Sequence, residues 1–171
     1  TFVFWSGRHK FAHIPPGGKT FLRDTFNREG FATLGRIAII FAFVAVFWSL
    51  WDQSGGEWVT QAQKMNLHFA GIDWLASQIQ AVNAIMILSF IPLFQYVIYP
   101  AINRVFPLTS LRKIGIGLVV TGFSFLVSAW IETQIAAGLK PSIGWQLPAY
   151  AFLSAGEVMV SITGLEFAYT Q

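Results

Sequence analysis

Four stretches of this chain run long enough without charge to cross a membrane. The first extends from about Leu34 to Trp51, with no charged residue between Arg36 and Asp52. The second extends from about Trp74 to Ala101, uncharged between Asp73 and Arg104, and the third from about Ile114 to Ile131, uncharged between Lys113 and Glu132. The fourth, from about Ile143 to Phe167, is interrupted by one carboxylate, Glu157. A helix rises about 1.5 Å per residue, so roughly 20 residues cross a hydrocarbon core about 30 Å thick. Each block reaches or nearly reaches that length, and the first gains reach if Arg36 snorkels outward. A helix on a soluble core shows a polar stripe at helical period, and none of the four has a clear one. The pattern predicts an all-α, polytopic membrane protein with spans at about 34–52, 74–101, 114–131 and 143–168.

Composition agrees with that pattern. Hydrophobic residues make up 54% of the chain and charged residues 11%, whereas a soluble domain carries about a quarter. The net charge of +3 does not imply nucleic acid, because the basic residues sit in short clusters between apolar runs and form no continuous patch. Their distribution gives an orientation instead. Arg8, Lys10, Lys19, Arg23, Arg28 and Arg36 precede the first span, and Arg104, Arg112 and Lys113 separate the second from the third. The connections on the other side hold only Lys64 and Lys140. Lysine and arginine mark cytoplasmic loops, so the chain is expected to start inside, cross four times and end inside. Without cysteine, neither disulfides nor a thiolate metal site enters.

Residues 1–33 read as the end of a preceding membrane helix followed by a cytoplasmic linker. Thr1 to Trp5 are apolar but run directly into Gly7, Arg8 and Lys10, unlike a cleavable signal peptide. Pro15-Pro16 favours an extended connection. Gly18-Lys19-Thr20 matches the end of a phosphate-binding loop, but that motif needs a glycine where His13 stands, and no apolar strand precedes it. Both ends of the chain are abrupt, and four spans make a poor shell for a pathway, so the expectation is a piece of a larger protein.

Polar side chains inside the spans carry the candidate chemistry, because each is costly unless it faces a cavity or a partner. Glu157 shares a helix face with Ser154, Ser161 and Gly164. A carboxylate there either finds a cation or stays protonated, and a transporter has uses for both states. The structural alternative is a fixed pair with another helix. Gln80 and Asn83 lie one turn apart early in the second span, where amides equally serve as interhelical hydrogen bonds or as ligands. Asp52 closes the first span beside Trp48, Trp51 and Gln53. The tryptophans there read more readily as an interfacial belt than as a ligand cage, and Gly55-Gly56 offers a place to bend. His9, His13 and His68 are dispersed and lack metal-ligand spacing. No serine has a nucleophile-elbow context, and no enzyme is expected.

Three of these segments carry a family resemblance. FWSLWDQSGGEWVTQAQKMN, Phe47 to Asn66, resembles the seventh-helix motif of the proton-dependent oligopeptide transporters, and GEVMVSITGLEFAYTQ, Gly156 to Gln171, resembles their tenth-helix motif. GRHKFAHIPPGG, Gly7 to Gly18, is similar to the stretch leaving their sixth helix. The resemblance implies part of the C-terminal six-helix bundle of a major facilitator superfamily transporter, from the end of helix six to helix ten. In that superfamily two bundles rock about a central site.

It also implies roles. Glu157 would contact the amino terminus of a bound peptide, Asn83 its backbone, and Trp48 and Ser161 would line the pocket wall. Asp52 would pair with a cation from the N-terminal bundle and help gate the extracellular side, while Asp52 and Glu157 would sense the proton or the substrate amine. The implied function is proton-coupled symport of di- and tripeptides by alternating access in the inner (plasma) membrane. No cofactor beyond the coupling proton is implied, and the partners would be peptides, protons, the lipid bilayer and the N-terminal bundle. Two rivals stand beside it: another small solute such as nitrate on the same scaffold, and a membrane protein that transports nothing. The stretch from Gly7 to Leu34 is too short for the two extra helices of many bacterial members, and Glu57 stands where some animal members carry arginine.

Overall fold

The computed structural model describes residues 26–165. The chain divides in sequence at Arg36 and Ile37 into two compact units. The described part of the first begins the long helix α1, Arg28–Gln63. Asn27 caps that helix, its side-chain oxygen accepting the Gly30 N–H at 2.7 Å, which satisfies one of the free donors of the first turn. Phe26 and Phe31 hold their rings 5.7 Å apart there.

In the second unit, α1 continues to Gln63 and leads into a two-residue-strand hairpin, β1 (His68–Phe69) and β2 (Ile72–Asp73), paired antiparallel. Ala70 and Gly71 both take positive φ, 56° and 77°, the geometry that joins strands through a two-residue turn. A 3-10 turn at Gln78–Gln80 opens α2, Ala81–Leu93, which passes through a π-helical turn at Phe94–Ile98 into α3, Tyr99–Asn103. Pro92 and Pro100 bracket that turn. Each lacks the N–H that would close the ladder four residues back, so local widening has an identifiable cause. Helix α4, Ser110–Ala136, is capped by Thr109, whose hydroxyl accepts the Arg112 N–H. A second 3-10 turn at Ile143–Trp145 precedes α5, Gln146–Glu157, and a π-helical turn at Val158–Ile162.

The helices run past their expected ends. Asp52 lies well inside α1 instead of closing it, and Gly55-Gly56 leaves the helix unbroken. The reason is that Ser54, Trp58, Gln61 and Ala62 form a buried stripe beyond the apolar run, and tertiary packing outweighs the roughly 1 kcal/mol that each glycine costs a helix. The first helix likewise begins at Arg28, before Leu34, because Asn27 supplies a cap. Trp74 belongs to the approach to α2, where its indole N–H donates to the Phe69 carbonyl at 3.1 Å. The expected end of the fourth span, and the linker up to residue 25, lie outside the described residues.

Two apolar clusters hold the bundle. One gathers Trp58, Ala62, Ile79, Ile143, Ala149, Tyr150 and Leu153, with the Trp58 ring edge-on to Tyr150 at 5.0 Å. The other sets Phe94 against Val158 and Met159. Between α4 and α5 the backbones approach closely at Gly117 and Gly156. A Cβ on Gly156 would stand 2.9 Å from the Gly117 carbonyl oxygen and collide with the Thr121 hydroxyl.

Outward, the helices are bare of polar cover. The most apolar windows of Arg28–Gln63 and Gln78–Asn103 are 11% buried, and that of Ser110–Ala136 is 28% buried. Exposed apolar surface on that scale is untenable in water and ordinary against lipid or further helices. The chain is an all-α, polytopic membrane protein. Three helices among the described residues meet the length and apolarity of a span, and α5 with its π-turn extends the fourth helical stretch to Leu165.

Candidate functional site

Glu157 stands at the end of α5, where the π-helical turn begins. Its partners come from two other helices. The Trp51 indole N–H of α1 donates to Oε2 at 2.7 Å, and the Asn83 amide of α2 donates to the same oxygen at 3.3 Å. The Ser154 hydroxyl, one turn before Glu157, donates to Asn83 Oδ1 at 2.5 Å. This chain fixes the Asn83 amide orientation, because the opposite placement would set its oxygen against the carboxylate. Glu157 Oε1 has no hydrogen-bond partner among the described residues and is not sealed from the outside.

The electrostatic character follows. Among the described residues, no lysine, arginine or histidine pairs with Glu157. Its supports are two neutral N–H groups among apolar side chains. Oε1 is thus left to accept a donor from outside this network.

Of the residues singled out in the sequence, Asn83 and Glu157 meet directly. Ser161 lies on the π-turn just beyond and, with Trp48, lines a cavity of about 150 Å³ walled also by Phe41, Val44, Gly164 and Leu165. Its hydroxyl is buried without a hydrogen-bond partner among the described residues. Trp48 touches the network only through its ring, edge-on to Trp51 at 5.5 Å. Asp52 is exposed and has no ion-pair or hydrogen-bond partner among the described residues. Gln80 stays apart, its amide lying over Gly55.

Trp51 is the member that sequence reasoning passed over as belt. Its position one turn after Trp48 was visible, but which of two tryptophans faces α5 is set by helix packing.

Comparison with known proteins gives the family. The sequence model of the POT family matches residues 27–171. The chain belongs to the POT family. It is 31% identical over 145 residues to the peptide transporter PTR2 of Saccharomyces cerevisiae, covering 77% of this chain and 24% of that protein. It is 40% identical over 102 residues to peptide transporter family 1 of Drosophila melanogaster, covering 60% of this chain and 14% of the relative. Among solved structures, an auto-inhibited POT family peptide transporter superposes with a TM-score of 0.74 at 39% identity, covering 80% of this chain and 26% of that one. The chain thus spans a quarter or less of the curated relatives and about a quarter of the solved structure. Within this POT segment, both residues that meet at the carboxylate from α1 and α5, Trp51 and Glu157, fall inside the matched region.

Proposed function

We propose that this chain forms one wall of the substrate pathway in a proton-coupled di- and tripeptide symporter of the plasma (inner) membrane, working by alternating access with a facing helix bundle. The observation that carries the reading is Glu157: a half-buried carboxylate held by neutral donors from two other helices, with one oxygen unpartnered among the described residues. The amino terminus of a peptide is an ammonium group and fits that oxygen as a charge-assisted hydrogen bond. Symport needs the proton and the peptide carried in the same loaded state, so Glu157 and Asp52 together would take the two positive partners. Asn83 would be shared between Glu157 and the peptide backbone, and Trp48 and Ser161 would shape the wall beside them. Asp52, exposed on α1, is available to a cation from the facing bundle and would act as a gate. The family membership and the peptide-transporter relatives support the substrate class, and the acidic site argues against an anion such as nitrate, which it would repel.

The test is peptide uptake by the full-length transporter in proteoliposomes under an inward proton gradient. Glu157→Gln keeps the side-chain shape and removes the charge. Uptake is expected to fall to background, and full uptake by that variant would overturn the assignment.

A further inference from the structure

Trp51 has no role in the reading above, yet it makes the shorter of the two contacts to Glu157, 2.7 Å against 3.3 Å for Asn83. An indole N–H donates and cannot accept, so its only favourable partner here is an oxygen lone pair. The ring is held from behind: Trp48 packs edge-on to it at 5.5 Å, and buried Phe47 packs edge-on to Trp48 at 5.5 Å. Both donors converge on Oε2 and neither reaches Oε1. The carboxylate is therefore anchored through one oxygen and presents the other.

We infer that Trp51 is a positioning residue for substrate recognition: its indole N–H fixes the Glu157 carboxylate so that Oε1 faces an incoming ammonium group. The inference rests on Glu157 being the amine-binding carboxylate. The physical argument is one of freedom lost in advance. A carboxylate on a long side chain in an open cleft samples several rotamers, and an ammonium binding it must select one. Anchoring Oε2 makes that selection before the ligand arrives, and preorganisation raises affinity by cutting the ordering cost. The Asn83 amide cannot do this alone, because it is longer and is itself held by Ser154. The gain is confined to ligands with a positive amine. A peptide analogue without the amine meets the same wall but makes no use of Oε1.

The test is equilibrium binding to the full-length transporter in detergent, with two probes: dialanine and its des-amino analogue propionyl-alanine. The ratio of their affinities reports amine recognition. Replacing Trp51 by benzothienylalanine keeps the fused-ring shape and deletes the N–H. Trp51→Phe gives a second, genetically encoded deletion of the donor. Glu157→Gln is measured alongside. A hydrogen bond to a charged group is expected to set the ratio by about ten-fold or more. The expected result is a fall of that order with either Trp51 replacement, carried by weaker dialanine binding with propionyl-alanine unchanged. If both probes weaken alike, or neither moves, while Glu157→Gln collapses the ratio, the role given to Trp51 is wrong and that of Glu157 stands. If Glu157→Gln keeps the unaltered ratio, the amine-binding reading fails and takes the Trp51 inference with it.

Discussion

Glu157 and Glu132 both sit on long helices of the same bundle, and their surroundings differ in one respect that separates a site from a brace. Glu132, near the end of α4, has its cation built in: Lys64 Nζ lies 3.4 Å from Oε1, and the Gln61 amide donates to Oε2 at 3.0 Å. Gln61 is in turn tied to the Ser128 carbonyl at 3.0 Å, and the Ser128 hydroxyl donates back to the Gln61 side-chain oxygen at 3.3 Å. Gln146 closes the brace, donating to the Trp58 carbonyl at 2.8 Å. The connections of this second network run from α1, or from Lys64 just past its end, to α4 or α5, and its carboxylate has a cation of the chain itself, although Gln146 Oε1 is buried without a partner among the described residues. The first network ends on an oxygen with no partner among the described residues. Identical functional groups thus stand in different surroundings according to whether the fold supplies the opposite charge.

Neutralising each carboxylate in turn separates the two networks most directly. Glu157→Gln is expected to abolish proton-driven peptide uptake by the full-length transporter, as argued above. Glu132→Gln should leave uptake within about two-fold of the parent, since an exposed pair contributes roughly 0–1 kcal/mol. Equal losses at both positions would show that the two networks are not distinct in kind.

A second test addresses why Glu157 is where it is. Gly156 precedes it at the closest approach of α5 to α4, and a side chain there would strike the Gly117 carbonyl and Thr121. Unlike a flexible side chain, a carbonyl in a helix ladder cannot move aside. Gly156→Ala is therefore expected to destabilise the bundle by about 1–3 kcal/mol, the usual range for overpacking. A lowered thermal midpoint of the detergent-solubilised transporter would register it, together with uptake reduced more than Glu132→Gln reduces it. Gly35→Ala, where an added Cβ meets nothing within 4 Å, is the matched control. An unshifted midpoint for Gly156→Ala would mean that the crossing relaxes without consequence.

How much of this was legible in the sequence can be stated residue by residue. The apolar runs gave the helices, because hydrocarbon leaves the backbone no other way to satisfy its hydrogen bonds. The helices run on past those spans where burial continues beyond the apolar run, as at Ser54, Trp58 and Gln61, since a window of hydropathy does not see a polar stripe packed on neighbours. Glu157 and Asn83 were legible as polar residues in costly places, and they lie 74 positions apart along the chain yet share a hydrogen bond. The donor Trp51 was not, because Trp48 and Trp51 differ only in rotation about α1. Nor was the π-turn at Val158–Ile162, which has no proline within it and arises at the tight contact of Gly156 and Met159 with α4. Asp52 stood out in the sequence for its charge, and within the described residues it stays alone.

The smallest expected effect separates the two halves of the brace. Lys64 and Glu132 are about half exposed, 51% and 49%, so solvent and salt screen their attraction. Gln61, by contrast, is buried and joins α1 to α4 through three hydrogen bonds. Lys64→Met retains the aliphatic stem and removes the charge. It is expected to lower the thermal midpoint by no more than the equivalent of about 0.5 kcal/mol, a loss that disappears in high salt. Uptake should be unchanged, because nothing in the Glu157 network touches this pair. A loss several times larger, abolished by high salt, would mean that the ion pair, and not the buried amide, holds Lys64 and the end of α1 to α4, and the distinction between brace and site would then have to rest on position alone.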